Sequence, residues 1–207
     1  MGIESATTWT HVADITNLLY ENPNIKLFVE IGANFCGFAA LLVARTIIFP
    51  DFGYLGIEQE VNRKSPTLEA FMADKPRCHI IWSDCFSYGV KKTVKKWIDA
   101  TTHGFALVWC DGDNKPEELR QYAPLLRPKD YLMIHDYSGE ERLAATMACR
   151  ADVEPFITKG LFKEATPSHW SQGSMQFLMR KIKDDSREDL IGQTGTGTWL
   201  KPESFVS

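Results

Sequence analysis

The chain has 207 residues, room for one domain with additions rather than two full domains at the usual ~150 residues each. With 44% hydrophobic and 24% charged residues, it can bury a core without disulfide staples, which excludes a disordered tail. Its 23 basic and 27 acidic residues give a net charge of −4, which argues against a nucleic-acid binder built on a broad positive surface.

Five cysteines (Cys36, Cys78, Cys85, Cys110, Cys149) form no C-x-x-C pair, so zinc is not expected and a reducing cytoplasm is. The N-terminal MGIESATTWTHVADI lacks the basic start and apolar run of a signal peptide. The longest apolar stretch, Phe38 to Phe49, is broken by Arg45 and is too short to span a bilayer. The expectation is a soluble cytoplasmic protein with no membrane partner.

Short apolar runs read as strands buried on both faces: Lys26–Ile31, Tyr54–Ile57, Cys78–Trp82, Phe105–Cys110 and Tyr131–Ile134. Helical patterns lie between and after them, at Gly37–Ile48, Asn62–Ala73, Ser87–Ala100, Pro116–Leu126 and Glu140–Arg150. Strand followed by helix, repeated, predicts an α/β parallel sheet covered on both faces. Later, Phe156–Phe162 and Ser174–Ile182 read as two more strands around the loop Lys163–Gly173, the second able to add antiparallel, with Met175, Phe177 and Met179 on one face. The expected divisions are an N-terminal cap over 1–25, one sheet domain over 26–182 and a polar, Gly/Thr-rich tail over 183–207.

An acidic residue stands at or just beyond each of the five strand ends: Glu30, Glu58, Asp84, Asp111 and Asp136. Open α/β sheets bind ligands outside the carboxyl ends of their strands, so these carboxylates would line one rim. The first strand enters its helix through Glu30-Ile31-Gly32-Ala33-Asn34-Phe35-Cys36-Gly37. Here Gly32 permits a tight turn and close ligand approach, and Gly37 opens a helix whose amides favour negative groups. Asn34 stands where a dinucleotide fingerprint needs its second glycine, which weakens a dehydrogenase reading.

E-x-G-x-x-x-x-G, then Glu58 in YLGIEQE, then Asp84 in SDC resembles the class I S-adenosylmethionine (SAM)-dependent methyltransferases over about residues 26–182. The resemblance implies a Rossmann-like, seven-stranded, mostly parallel sheet with helices on both faces, ending in an antiparallel hairpin. It implies a cofactor site made of Glu30, Gly32, Ala33, Asn34, Gly37, Glu58, Gln59, Asp84, Cys85 and Asp111. Within it Glu30 would face the methionine amine, Glu58 the ribose diol, and Asp84 with Cys85 the adenine. A carboxylate, with two acceptor oxygens, suits a vicinal diol.

The stretch CDGDNKPEELRQYAPLLRPKDYLMIHDY is similar to the metal-dependent O-methyltransferases of the macrocin, novobiocin-sugar and cephalosporin-hydroxylase-like group. That resemblance implies Mg²⁺ on Asp111 and Asp136 with His135 as a further ligand, and Asp113 as the general base, with Asp111 beside it as the other catalytic residue. Asn114 replaces a histidine of many relatives, and His135 replaces a second carboxylate. The implied reaction is methyl transfer from SAM to a hydroxyl of a small-molecule acceptor, in an enzyme group where homodimers are common. A metal-free O- or N-methyltransferase and a non-catalytic SAM-binding protein are the alternatives. Lys91, Lys92, Lys95 and Lys96 read as a solvated helix face, Gly192–Gly197 (GQTGTG) as tail, and His169-Trp170 as a loop able to close over substrate or pack on the body.

Overall fold

The computed structural model describes residues 9–34, 37–168, 170 and 176–184. Its helices are α1 (Trp9–Glu21), α2 (Gly37–Ile48), α3 (Pro66–Met72), α4 (Tyr88–Ala100), α5 (Lys115–Tyr122) and α6 (Arg150–Thr158). Its strands are β1 (Ile25–Ile31), β2 (Gly53–Glu58), β3 (Cys78–Trp82), β4 (Phe105–Cys110), β5 (Tyr131–Ile134), β6 (Phe162–Glu164) and β7 (Phe177–Lys181). They form one seven-stranded sheet in the order β3-β2-β1-β4-β5-β7-β6. Strands β1 to β5 pair in parallel, and β7 runs antiparallel to both β5 and β6.

The unalternated strands are explained by two cores, one on each face. Leu27, Val29, Ile31, Ala106, Val108, Cys110, Leu132 and Ile134 point to one, against α4, α5 and α6. Phe28, Leu107, Trp109, Tyr131 and Met133 point to the other, against α1, α2 and α3. Helix α4 shows how the lysine-rich segment is held: Val90, Val94 and Ile98 are buried at helical spacing, each contributing roughly 1.5–3 kcal/mol of burial. On the same helix Lys95 pairs with Asp99, and Lys91 donates to Gln121 at 2.6 Å.

All five expected parallel strands are present, and the C-terminal antiparallel pair exists, but the chain between them is arranged differently from expectation. Residues 140–149 do not form a helix. Cys149 caps α6 instead, its backbone N–H donating to Asp152 Oδ2 at 2.9 Å, so the helix begins at Arg150. The run Phe156–Phe162 is accordingly the end of that helix and a turn, not a strand. Val153 and Phe156 face the core. Gly160, at φ +64, leaves the helix as the Leu161 N–H reaches back to the Phe156 carbonyl.

Pro66 likewise divides the expected Asn62–Ala73 helix. The residue before proline avoids the α region, so Ser65 caps α3 and a separate 3-10 turn holds Val61–Arg63. Pro124 similarly converts the end of Pro116–Leu126 to a 3-10 turn at Ala123–Leu125. Helix α1 lies within the segment expected only as a cap. In β7, Phe177 and Met179 join one core and Leu178 the other. Met175, His169 and Gly192–Gly197 lie outside the described residues, and Trp170 is packed against the α1–α3 side at 8% exposure.

Candidate functional site

The sheet order reverses at β1, which sends its next strand to one side and lies against β4 on the other. A crevice at the carboxyl ends of β1 and β4 is the ligand position this topology favours. The ladder continues past the strand ends and tightens this rim. Gly32 and Ala33 N–H groups both donate to the Ile57 carbonyl, and Asp111 N–H donates to that of Ile31 at 3.0 Å.

Gly32 sits at φ +85, and a Cβ there would lie 2.7 Å from Gly112 Cα and 2.8 Å from the Asp111 carbonyl oxygen. The glycine thus serves left-handed backbone and direct contact between the β1 and β4 loops. Ala33 is buried beside it. Asn34, also left-handed at φ +48, donates its backbone N–H to Glu58 Oε2 at 2.6 Å. Gly37 is the first residue of α2.

Glu30 and Glu58 are 2% and 5% exposed. Glu30 Oε2 accepts from the Tyr54 hydroxyl at 2.5 Å, and no ion pair reaches it among the described residues. Burial pushes its carboxyl up to about 8, against the opposing Tyr54 bond and with further push from the nearby Asp111 and Glu58 charges. Glu58 also accepts from the Glu60 N–H at 2.8 Å, with an Arg63 guanidinium nitrogen 3.7 Å away. Gln59 and Asp84 are exposed. Asp84 Oδ1 accepts from the Phe86 N–H at 2.9 Å, so it shapes its own turn. Burial pushes the Cys85 thiol up to about 12, with Glu118 and Asp84 adding to it.

The second half of the site is built by the β4–α5 and β5 loops. Asp111 directly follows β4 and Asp113 is exposed in the turn after it. Asn114 caps α5, its side chain accepting from the Glu117 N–H. Glu118, 1% exposed, accepts from the Gly112 and Asn114 N–H groups, each at 3.1 Å. It clamps the turn from behind, and burial pushes its carboxyl up to about 7.

Lys115, 5% exposed, places its ammonium 2.9 Å from Asp136 Oδ2. His135 Nδ1 stands 2.8 Å from Asp111 Oδ1 and 3.2 Å from Asp136 Oδ1, aligned as a hydrogen bond with neither. Its Nε2 lies 3.0 Å from His11 Nδ1 on α1. Burial alone would lower the His135 imidazole, but the two carboxylates outweigh it and raise it to about 9. Asp136, at φ +52, is held well below the usual carboxylate range by His135 and then Lys115.

Asp111, His135 and Asp136 are therefore brought together as expected, but not as a metal-binding set. Two cationic side chains already engage the carboxylates, and among the described residues no three His, Cys, Asp or Glu side chains are arranged to hold an ion. Lys115 joins the expected Mg²⁺ ligands Asp111, His135 and Asp136 in one charge network. Lys115, Glu118 and His11 were not legible in the sequence as site residues. Lys115 and Glu118 look like surface charges on an amphipathic helix, and the only available signal was their place in the first turn after the D-G-D segment.

No family model matches the chain, and no curated protein matches it in sequence. Solved structures do match. One described as "cmcI-D160 Mg-SAM" is 15% identical with a TM-score of 0.58, covering 84% of this chain and 72% of that one. Another, "cmcI-N160 SAH", is 16% identical with a TM-score of 0.57, covering 86% and 78%. A Staphylococcus aureus protein assigned as a caffeoyl-CoA O-methyltransferase is 14% identical with a TM-score of 0.60, covering 87% and 86%. The chain has the Rossmann-like methyltransferase fold. On that methyltransferase fold, Glu30, Gly32, Glu58 and Asp111 lie close together at the carboxyl ends of β1, β2 and β4, whereas Gln59 and Asp84 are exposed. No helix among the described residues is long and apolar enough to cross a membrane. The cysteines among them, Cys78, Cys85, Cys110 and Cys149, are free thiols.

Proposed function

We propose that this chain transfers a methyl group from SAM to a hydroxyl oxygen of a small-molecule acceptor, in the cytoplasm. The observation that carries the reading is the convergence of buried Glu30 and Glu58 at the switch point, behind a Gly32 turn packed backbone to backbone on the β4 loop. These residues fit the cofactor. Glu30 is a buried carboxyl without an ion pair among the described residues, suited to an ammonium group. Glu58 is already anchored by the Asn34 and Glu60 amides, leaving it rigid as an acceptor for hydroxyls. The solved structures described with SAM and SAH support the cofactor.

When bound, SAM supplies an electrophilic methyl on a sulfonium centre, so the chain's work is alignment and proton removal. Gly32 and Gly112 bring two backbone loops together without side chains between them, which sets the floor of the crevice. Glu118 fixes the turn that carries Asp113. Asp113, exposed beside Asp111, is the proposed general base that takes the acceptor hydroxyl proton. The Mg²⁺ implied by the sequence resemblance finds support in the neighbour described as Mg-SAM. The side chains of this chain do not fit it, and no step is assigned to it.

Calorimetry with SAM and S-adenosylhomocysteine, followed by methyl transfer across a panel of hydroxylated acceptors, tests the reading. Asp111→Ala and Asp113→Asn should each lower turnover by about 10²- to 10⁴-fold and leave cofactor affinity nearly intact. Loss of cofactor binding in both variants overturns the division of roles. Normal cofactor binding with no transfer to any acceptor favours a non-catalytic SAM-binding protein.

A further inference from the structure

The carboxylate pair Asp111 and Asp136 is what a divalent cation would use on this rim, yet both are already engaged from within the chain. Lys115 Nζ lies 2.9 Å from Asp136 Oδ2, its side chain only 6% exposed. An ammonium there is fixed by the start of α5, whose Asn114 cap and Pro116 set the direction of the first turn. His135 Nδ1 lies between Asp111 and Asp136, at 2.8 and 3.2 Å. That nitrogen faces two acceptor-only oxygens at close range without a hydrogen bond aligned to either, a setting that favours an N–H there over the lone pair a metal would need. The other ring nitrogen is engaged with His11 at 3.0 Å. The ring edge also packs on Trp109, 5.7 Å between centroids, which holds it in this plane.

We propose that Lys115 and His135 occupy the place of a divalent cation between Asp111 and Asp136, so that this centre excludes Mg²⁺ and works without it. The positive charge standing against Asp136 is the chain's own Lys115 ammonium. Lys115 is the positioning residue for Asp136, and His135 for Asp111. Magnesium demands near-ideal octahedral oxygen coordination. A site in which an ammonium pairs with Asp136 and the His135 ring stands against both carboxylates cannot supply it without displacing both side chains. The reaction assigned to the centre rests on the methyltransferase reading, but its cation chemistry is measured independently.

The test is a Mn²⁺ titration of the full chain followed by electron paramagnetic resonance, in which bound Mn²⁺ loses its free-ion signal. Wild-type protein should leave the signal at full amplitude, with S-adenosylhomocysteine present or absent, and turnover should be unchanged by a chelator. The variant K115A/H135E releases Asp136 and adds a third carboxylate, and should quench the signal at one ion per chain. Quenching by the wild type, or turnover lost to a chelator and restored by Mg²⁺, overturns the proposal. So does a folded double variant, by circular dichroism, that still binds no Mn²⁺. If that variant does not fold, the wild-type titration and the chelator assay decide alone. Failure of S-adenosylhomocysteine to bind would overturn the methyltransferase reading and leave the Mn²⁺ result standing.

Discussion

Replacing Glu30 by Gln isolates the one carboxyl that the fold buries at the cofactor rim. In the folded chain this group titrates at about 8, against 4.5 for an open-chain glutamate, first because burial penalises the charge and then because Asp111 and Glu58 are near. The folded state therefore keeps a proton that the unfolded chain releases between those two values. Stability is fully present below 4.5 and is lost as pH rises towards 8, at about 1.4 kcal/mol per pH unit inside that window. The amide introduced by Glu30→Gln cannot ionise and can still accept the Tyr54 hydroxyl, so the variant should lack this slope. His135, raised to about 9, also loses stability as pH rises, but it does so equally in both proteins and cancels in the comparison. Urea unfolding at about pH 5.5, 6.5 and 7.5 should show E30Q gaining on wild type with each step. A cofactor ammonium beside Glu30 would draw the proton out. SAM affinity of the wild type should rise with pH up to about 8 with release of a proton, read by calorimetry in buffers of different ionisation enthalpy. E30Q should show neither effect, and should bind SAM roughly 10- to 100-fold more weakly for loss of a charge-assisted hydrogen bond of ~1.5–3 kcal/mol. Parallel pH profiles for the two proteins would refute the burial argument. Equal SAM affinity would refute the placement of the amine.

Gly32→Ala combines a left-handed backbone cost of ~1–2 kcal/mol with overpacking of ~1–3 kcal/mol against the β4 loop. Chemical denaturation should show a loss of roughly 2–5 kcal/mol, and a loss under about 0.5 kcal/mol would mean the two loops are not in contact. Asp113→Asn should lower turnover by about 10²- to 10⁴-fold with SAM affinity kept, and an unaltered rate would remove it as the base. Asp130, fully buried, accepts from the Ala106 N–H at 2.8 Å and from the Arg127 N–H and guanidinium. Asp130→Ala should therefore cost about 3–5 kcal/mol by leaving Arg127 uncompensated. Thermal unfolding that matches wild type would show the pair to be dispensable.

The five parallel strands and the acidic rim follow from local sequence pattern alone. A strand covered on both faces needs a short apolar run, and the loop after it carries the polar group; both are local properties that survive in one dimension. The Gly32 turn was legible for the same reason. The segment from Glu140 to Phe162 departs from its sequence expectation because its caps decide it. Cys149 with Asp152 starts the helix and Gly160 ends it, while Pro155, Phe156 and Ile157 by propensity suggest something else.

Which charges meet is set by packing in three dimensions. His135 and His11 are 124 positions apart, and Lys115 reaches Asp136 because β4 and β5 are neighbours in register, with Trp109 opposite Met133. A carboxylate at a strand end is the same letter whether it awaits a metal or already holds an ammonium. Pairing energy depends on distance and burial, and those exist only once the chain is folded.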